Sequence, residues 1–208
     1  LSGKLTLGAT GYADTRMRRA FAYAAAGENE ASFHKLFSAI SPLMAIKTFQ
    51  KGDFRNLDKP FSVAASYTVK GYAAAVKDSL RFVIPLAHFI IKQERWSPYY
   101  MLKPWKERKT PAMFWFPQLV TVAEKVAVPG GFTPRDLPDD TSFEGEVVDY
   151  AFSVKAKGNA LTYSATWKVK PRVAPKEAFE ELDRLVTEID AWESREIVLD
   201  RAKKGGGK

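Results

Sequence analysis

Residues 147–169 read VVDYAFSVKAKGNALTYSATWKV, and this stretch decides the fold. Leu161, Tyr163, Ala165, Trp167 and Val169 alternate strictly with Thr162, Ser164, Thr166 and Lys168. A period of two puts one set on each face of a β-strand, here one apolar and one polar. Val147–Lys155 is a second strand, and the turn signal Lys157-Gly158-Asn159 lies between the two. Apolar-periodic runs flanking Gly-Asn predict an antiparallel hairpin.

Working outward, the pattern stays β-like toward the C-terminus of the chain. Met113 opens a nearly all-strand region, in which Phe114–Val128 closes at Pro129-Gly130-Gly131 and Thr141–Glu146 is a further strand. Pro175 then suits a helix first turn, because its missing N–H is one that the turn leaves unpaired anyway. Phe179, Leu182, Val186 and Ile189 form one apolar stripe of that helix, and Ile197-Val198-Leu199 is a terminal strand. On the other side, Leu5–Ala13 reads as a strand with a possible bulge at a Gly. Asp14 or Thr15 then caps a helix starting near Arg16. Glu28–Ile40 is a second helix, ended by Ser41-Pro42, and Ala45–Gln50, Phe61–Lys70, Ala73–Val76 and Leu80–Leu86 are short strands. The expected fold is mainly β with some α. A mixed α+β segment (1–92) leads through an aromatic, Pro-rich connector (93–112) into a β-sandwich-like domain with a C-terminal amphipathic helix (113–200). A disordered basic tail (201–208) follows.

Composition removes whole classes of chemistry. None of the 208 residues is Cys, so disulfide scaffolds, thiolate metal sites and Cys nucleophiles are excluded. His34 and His88 are the only histidines, too few for a multi-histidine metal site, and no metal or cofactor is expected. The net charge of +8 draws +4 from Arg201, Lys203, Lys204 and Lys208, which leaves +4 for residues 1–200. A nucleic-acid binder carries its basic patch on the folded domain, so no nucleic-acid partner is expected. Phe82–Ile91 is the longest apolar candidate, well short of the roughly 18 residues that suggest a membrane span. The chain opens on Leu1 and enters a strand pattern at once, as a fragment of a longer polypeptide would.

Few side chains suggest catalysis. Gly8-Ala9-Thr10-Gly11 lacks both the Lys of a phosphate loop and the third Gly of a dinucleotide fingerprint, and reads better as a bulged strand. His34, between Phe33 and Leu36, and His88, in an apolar strand, read as structural. Asp139-Asp140 and Glu144/Glu146 are paired acids, but nothing sets them on two elements flanking a bond. The aromatic stretch 96–116 is the richest candidate. Trp96, Tyr99, Tyr100 and Trp105, with Arg108, Lys103, Lys106 and Lys109, could form a platform of flat rings and cations, which would make the chain a carbohydrate- or ligand-binding β-sandwich module. The structural alternative has Trp115 and Phe116 in a core while the other rings pin a loop to a sheet.

One order of motifs goes further. Arg108-Lys109-Thr110-Pro111 leads into a strand, then Val128-Pro129-Gly130-Gly131-Phe132, Leu137-Pro138, a hairpin, a helix from Pro175 to Trp192 and Arg195-Glu196-Ile197-Val198-Leu199. This resembles the C-terminal region of bacterial transglutaminase-like proteins, in which accessory domains of unknown function flank a transglutaminase core. Residues 3–40, with Arg16, Arg18 and Arg19 on a helix, are similar to the segment after such a core. The resemblance implies a non-catalytic accessory domain partnered with an upstream core in the same polypeptide, and with a protein or envelope substrate. It also implies a periplasmic or cell-surface location. The core's Cys-His-Asp triad has no counterpart in this chain.

Overall fold

The computed structural model describes residues 1–23, 25, 27–85, 109–114, 117–170 and 173–202. The hairpin at 147–169 forms as its alternation dictates. Its strands pair from Val148–Val169 to Lys157–Ala160 around a two-residue loop in which Gly158 has φ +59°. Only a residue free of a Cβ adopts that turn without strain.

Thirteen strands and three α-helices are described. They are β1 (Ser2–Gly11), α1 (Tyr12–Ala22), α2 (Glu28–Ile40), β2 (Met44–Lys51), β3 (Ser62–Val69), β4 (Ala74–Val76) and β5 (Ser79–Phe82). Then follow β6 (Ala112–Met113), β7 (Gln118–Ala127), β8 (Phe132–Asp136), β9 (Thr141–Glu144), β10 (Val148–Lys157), β11 (Ala160–Val169) and β12 (Val173–Ala174). A 3₁₀ turn (Lys176–Ala178), α3 (Phe179–Ser194) and β13 (Ile197–Arg201) complete the order. The molecule is mainly β with some α, in stacked antiparallel sheets with a C-terminal helix.

The large sheet has the order β2-β3-β1-β7-β11-β10-β9, and a four-stranded sheet has the order β4-β5-β13-β8. Strands of segment 1–92 and of segment 113–200 share the large sheet, because β1 pairs with β7 from Gly3–Val126 to Gly11–Gln118. The helices pack on one face of that sheet. Phe21 of α1 stacks on Phe49 and meets Phe61, Phe37 of α2 meets Tyr67 edge-on, and Trp192 of α3 stacks on Phe152. Phe82, Ile197 and Leu199 of the small sheet join the same buried cluster. The other face of the large sheet carries exposed and half-exposed Ser, Thr and Lys.

Local boundaries differ from the sequence expectation where tertiary contacts claim a side chain. The helix expected near Arg16 starts at Tyr12, and its cap position is Gly11, with φ +63°. Asp14 is no cap. Its carboxylate accepts from the Phe61 backbone N–H at 2.6 Å and pairs with Arg18 at 2.6 Å. No register shift interrupts β1, so the bulge expected at a Gly is not there; one lies between Ile46 and Thr48 of β2 instead. β8 is not among the strands the sequence pattern predicts, and it contains Pro134. It occupies a sheet edge, where a missing N–H is tolerated.

Candidate functional site

Trp96, Tyr99, Tyr100, Trp105, Arg108 and His88 lie outside the described residues. His34 is exposed on α2, one turn from Glu30 at 4.0 Å. Asp140 pairs with Lys155, and the backbone N–H of Glu146 donates to the Glu181 carboxylate. Gly8 lies inside β1, where its carbonyl accepts from the Thr121 hydroxyl at 3.2 Å. Among the described residues no group of three or more His, Asp or Glu could hold a metal ion, and no helix is long and apolar enough to cross a membrane.

What the fold does assemble lies on the solvent face of the large sheet. In β1 and β7 the buried parity belongs to Leu5, Leu7, Val122 and Val126, so Lys4 and Lys125 project to the other side. The register sets Lys4 directly opposite Lys125, and Lys4 opposite Ser66 of β3. The irregularity in β2 brings Lys47 to the same place. These three lysines, with Ser66, Thr68 and Asn159, line an open cavity of about 410 Å³. None of the three lysines is in an ion pair among the described residues. The four strands β3, β1, β7 and β11 carry one acid, Glu124, and it points the other way.

Beneath this basin the buried face holds a carboxylate. Glu124 is wholly inaccessible, and the Tyr67 hydroxyl donates to its Oε1 at 2.5 Å. Tyr67 stands opposite Gly3 and reaches across β1 to β7. A Cβ on Gly3 would lie 2.5 Å from its hydroxyl oxygen. Burial, then the Glu124 charge, raise the ionisation of Tyr67 and Tyr163 far above the ordinary tyrosine range and push Tyr72 up to about 12. The Tyr67 and Glu124 side chains are both buried, so the pair ties β3 to β7 across β1.

Fold and site together define a β-rich, helix-backed scaffold whose large sheet presents, among the described residues, a basic and hydroxyl-rich outer face. The chain belongs to the family described as Domain of Unknown Function with solved-structure structure (DUF3858), whose model matches residues 82–199, more than half of its length. No curated protein and no solved structure matches it. The matched region supplies β7, β11, β10 and β9 of the large sheet, and β1 covers the edge that β7 would otherwise expose.

Sequence reasoning passed over Glu124 and the three lysines. Glu124 was findable. Val120, Val122, Val126 and Val128 alternate around it, so a strand there must bury it. The lysines were not, since their proximity depends on pairing between strands more than a hundred residues apart.

Proposed function

We propose that this chain is a non-catalytic accessory and interaction domain. It positions or shields a transglutaminase-like core lying upstream in the same polypeptide, at the periplasm or cell surface. The observation that carries this reading is the order of motifs from Arg108-Lys109-Thr110-Pro111 to Arg195–Leu199, which resembles that of accessory regions beside such cores. The absence of Cys supports it, because acyl transfer of this type needs a thiolate attacking a carbonyl. So does the architecture, in which helices cover one sheet face and the other stays open for contact.

The native polypeptide upstream of Leu1 supplies the test. A Cys, a His and an Asp in a transglutaminase-like arrangement are expected there. An unrelated domain in that place overturns the reading. Acyl transfer to an amine, or peptide hydrolysis, by the purified chain alone overturns its non-catalytic part.

A further inference from the structure

We propose that the basin over β3, β1 and β7 is a binding site for a phosphate-bearing ligand. Its phosphate sits between Lys4 and Lys125, with Lys47 on the third side. This inference does not rest on the accessory-domain reading.

The first argument is local cost. Like charges directly opposite one another in an antiparallel pair are destabilising, and Lys4 faces Lys125 in that relationship. No acid on the solvent face of the four central strands relieves it, and neither lysine is ion-paired among the described residues. A local rule broken without compensation is what functional sites do.

The second argument is charge and donor count. Opposed residues of an antiparallel pair stand about 5 Å apart at Cα, so two flexible ammonium groups can converge on one ligand atom group. A phosphate ester carries close to two negative charges at neutral pH and three acceptor oxygens. It neutralises the opposed pair, where a single carboxylate would leave one cation in excess. Lys47, the Thr68 hydroxyl and the Asn159 amide remain for the other oxygens and for hydroxyls on the ligand, while the Ser66 hydroxyl is shared with that of Thr48 at 2.5 Å.

The third argument concerns what the basin lacks. Its lining holds no Arg, so the planar fork that grips carboxylates in pairs is missing. Its one aromatic residue, Tyr67, is buried against Glu124, so a nucleobase would find no ring to stack on.

Titration of the full chain with inorganic tripolyphosphate, followed by amide NMR shifts and calorimetry, tests the site. Shifts are expected to cluster at residues 2–4, 47–48, 66–68, 125–127 and 159–160. The Lys4→Gln/Lys125→Gln variant is expected to bind about tenfold or more weakly, the usual effect of losing hydrogen bonds to a charged group. Lys168→Gln, on the same face but outside the basin, is expected to bind as the parent does. A parallel titration with glucose 6-phosphate against glucose separates a phosphate ester on a sugar from a free phosphate chain, and preferential binding of either phosphate supports the site. Equal weakening by Lys168→Gln, citrate binding as tightly as tripolyphosphate at equal ionic strength, or no clustered shifts overturns it.

Discussion

Tyr67 and Glu124 meet across an intervening strand: the hydroxyl of one and the carboxylate of the other are 2.5 Å apart, and the ring between them lies over Gly3. The glycine is what makes the meeting possible. Any Cβ at position 3 would stand 2.6 Å from the Tyr67 ring carbon that bears the hydroxyl.

Two substitutions should therefore be costly for different reasons. Tyr67→Phe removes a donor from a buried carboxylate and is expected to cost about 1–3 kcal/mol. Gly3→Ala overpacks the same point and is expected to cost a similar 1–3 kcal/mol. Urea unfolding checks both. In a Tyr67→Leu background the Gly3→Ala cost should largely vanish, because the overlapping atoms are gone. An undiminished cost there would mean that the strain lies elsewhere.

Alkaline stability follows from the same cluster. Tyr72 is pushed up to about 12, first by burial and then by Glu124, and Tyr67 and Tyr163 are raised further. A folded pKa above the unfolded value of about 10 means that the unfolded chain loses the proton first. The stabilisation is thus complete below pH 10 and lost as pH rises through 12. Loss of far-UV circular dichroism should accompany the late part of the tyrosinate absorbance change. Full ionisation of the tyrosines near pH 10 with the sheet intact would contradict this.

How far the sequence could be read depended on the range of the contact. Hairpin β10–β11 was legible because the alternation from Leu161 to Val169 and the Gly158-Asn159 turn are local signals. The helices at 28–40 and 179–194 were legible from apolar spacing in the same way. The sheet order was not. β1 sits between β3 and β7 through registers such as Leu5–Ala65 and Leu5–Glu124, which no window of neighbouring residues contains. The first helix shows the same limit: Asp14 is a fine cap by propensity, but Arg18 and the Phe61 N–H claim its carboxylate. The basin lysines are individually ordinary surface residues, and only the non-local register makes them a site.

Arg18 organises the loop between β2 and β3. Its Nε binds Asp14, and its terminal nitrogens donate to the carbonyls of Asn56 at 2.7 Å, Phe54 at 3.1 Å and Lys59 at 2.5 Å. Arg18→Met is expected to cost about 3 kcal/mol, since it strips one partner from a largely buried ion pair. It should also free residues 53–60, so that trypsin cuts after Arg55 in folded protein. A parent-like digestion pattern would show that the loop holds itself together through its Asp53 and Asn56 turns.

Acid stability points to Glu181. Burial alone would raise its pKa, but the N–H groups of Val147, Glu146 and Val148, with the Lys170 charge, outweigh that and hold it below the ordinary value of 4.5. A depressed folded pKa gives stability that is present above 4.5 and lost as pH falls through the folded value. Glu181→Gln should therefore be less stable than the parent at neutral pH, with the gap narrowing below pH 4.5. Urea midpoints measured across that range decide it, and a gap independent of pH would remove the carboxylate's charge from the explanation.

The opposed lysines carry the opposite sign. If Lys4 and Lys125 repel one another across β1 and β7, removing either should stabilise the fold by about 0.2–1 kcal/mol. Strand propensity could produce a gain by itself, so single substitutions do not suffice. A double-mutant cycle separates the two effects, because propensity gains add while a repulsion can be relieved only once. Lys4→Gln should help less when Lys125→Gln is already present, and the difference should fade in high salt as the charges are screened. Strictly additive, salt-independent gains would show that the pair costs the fold nothing.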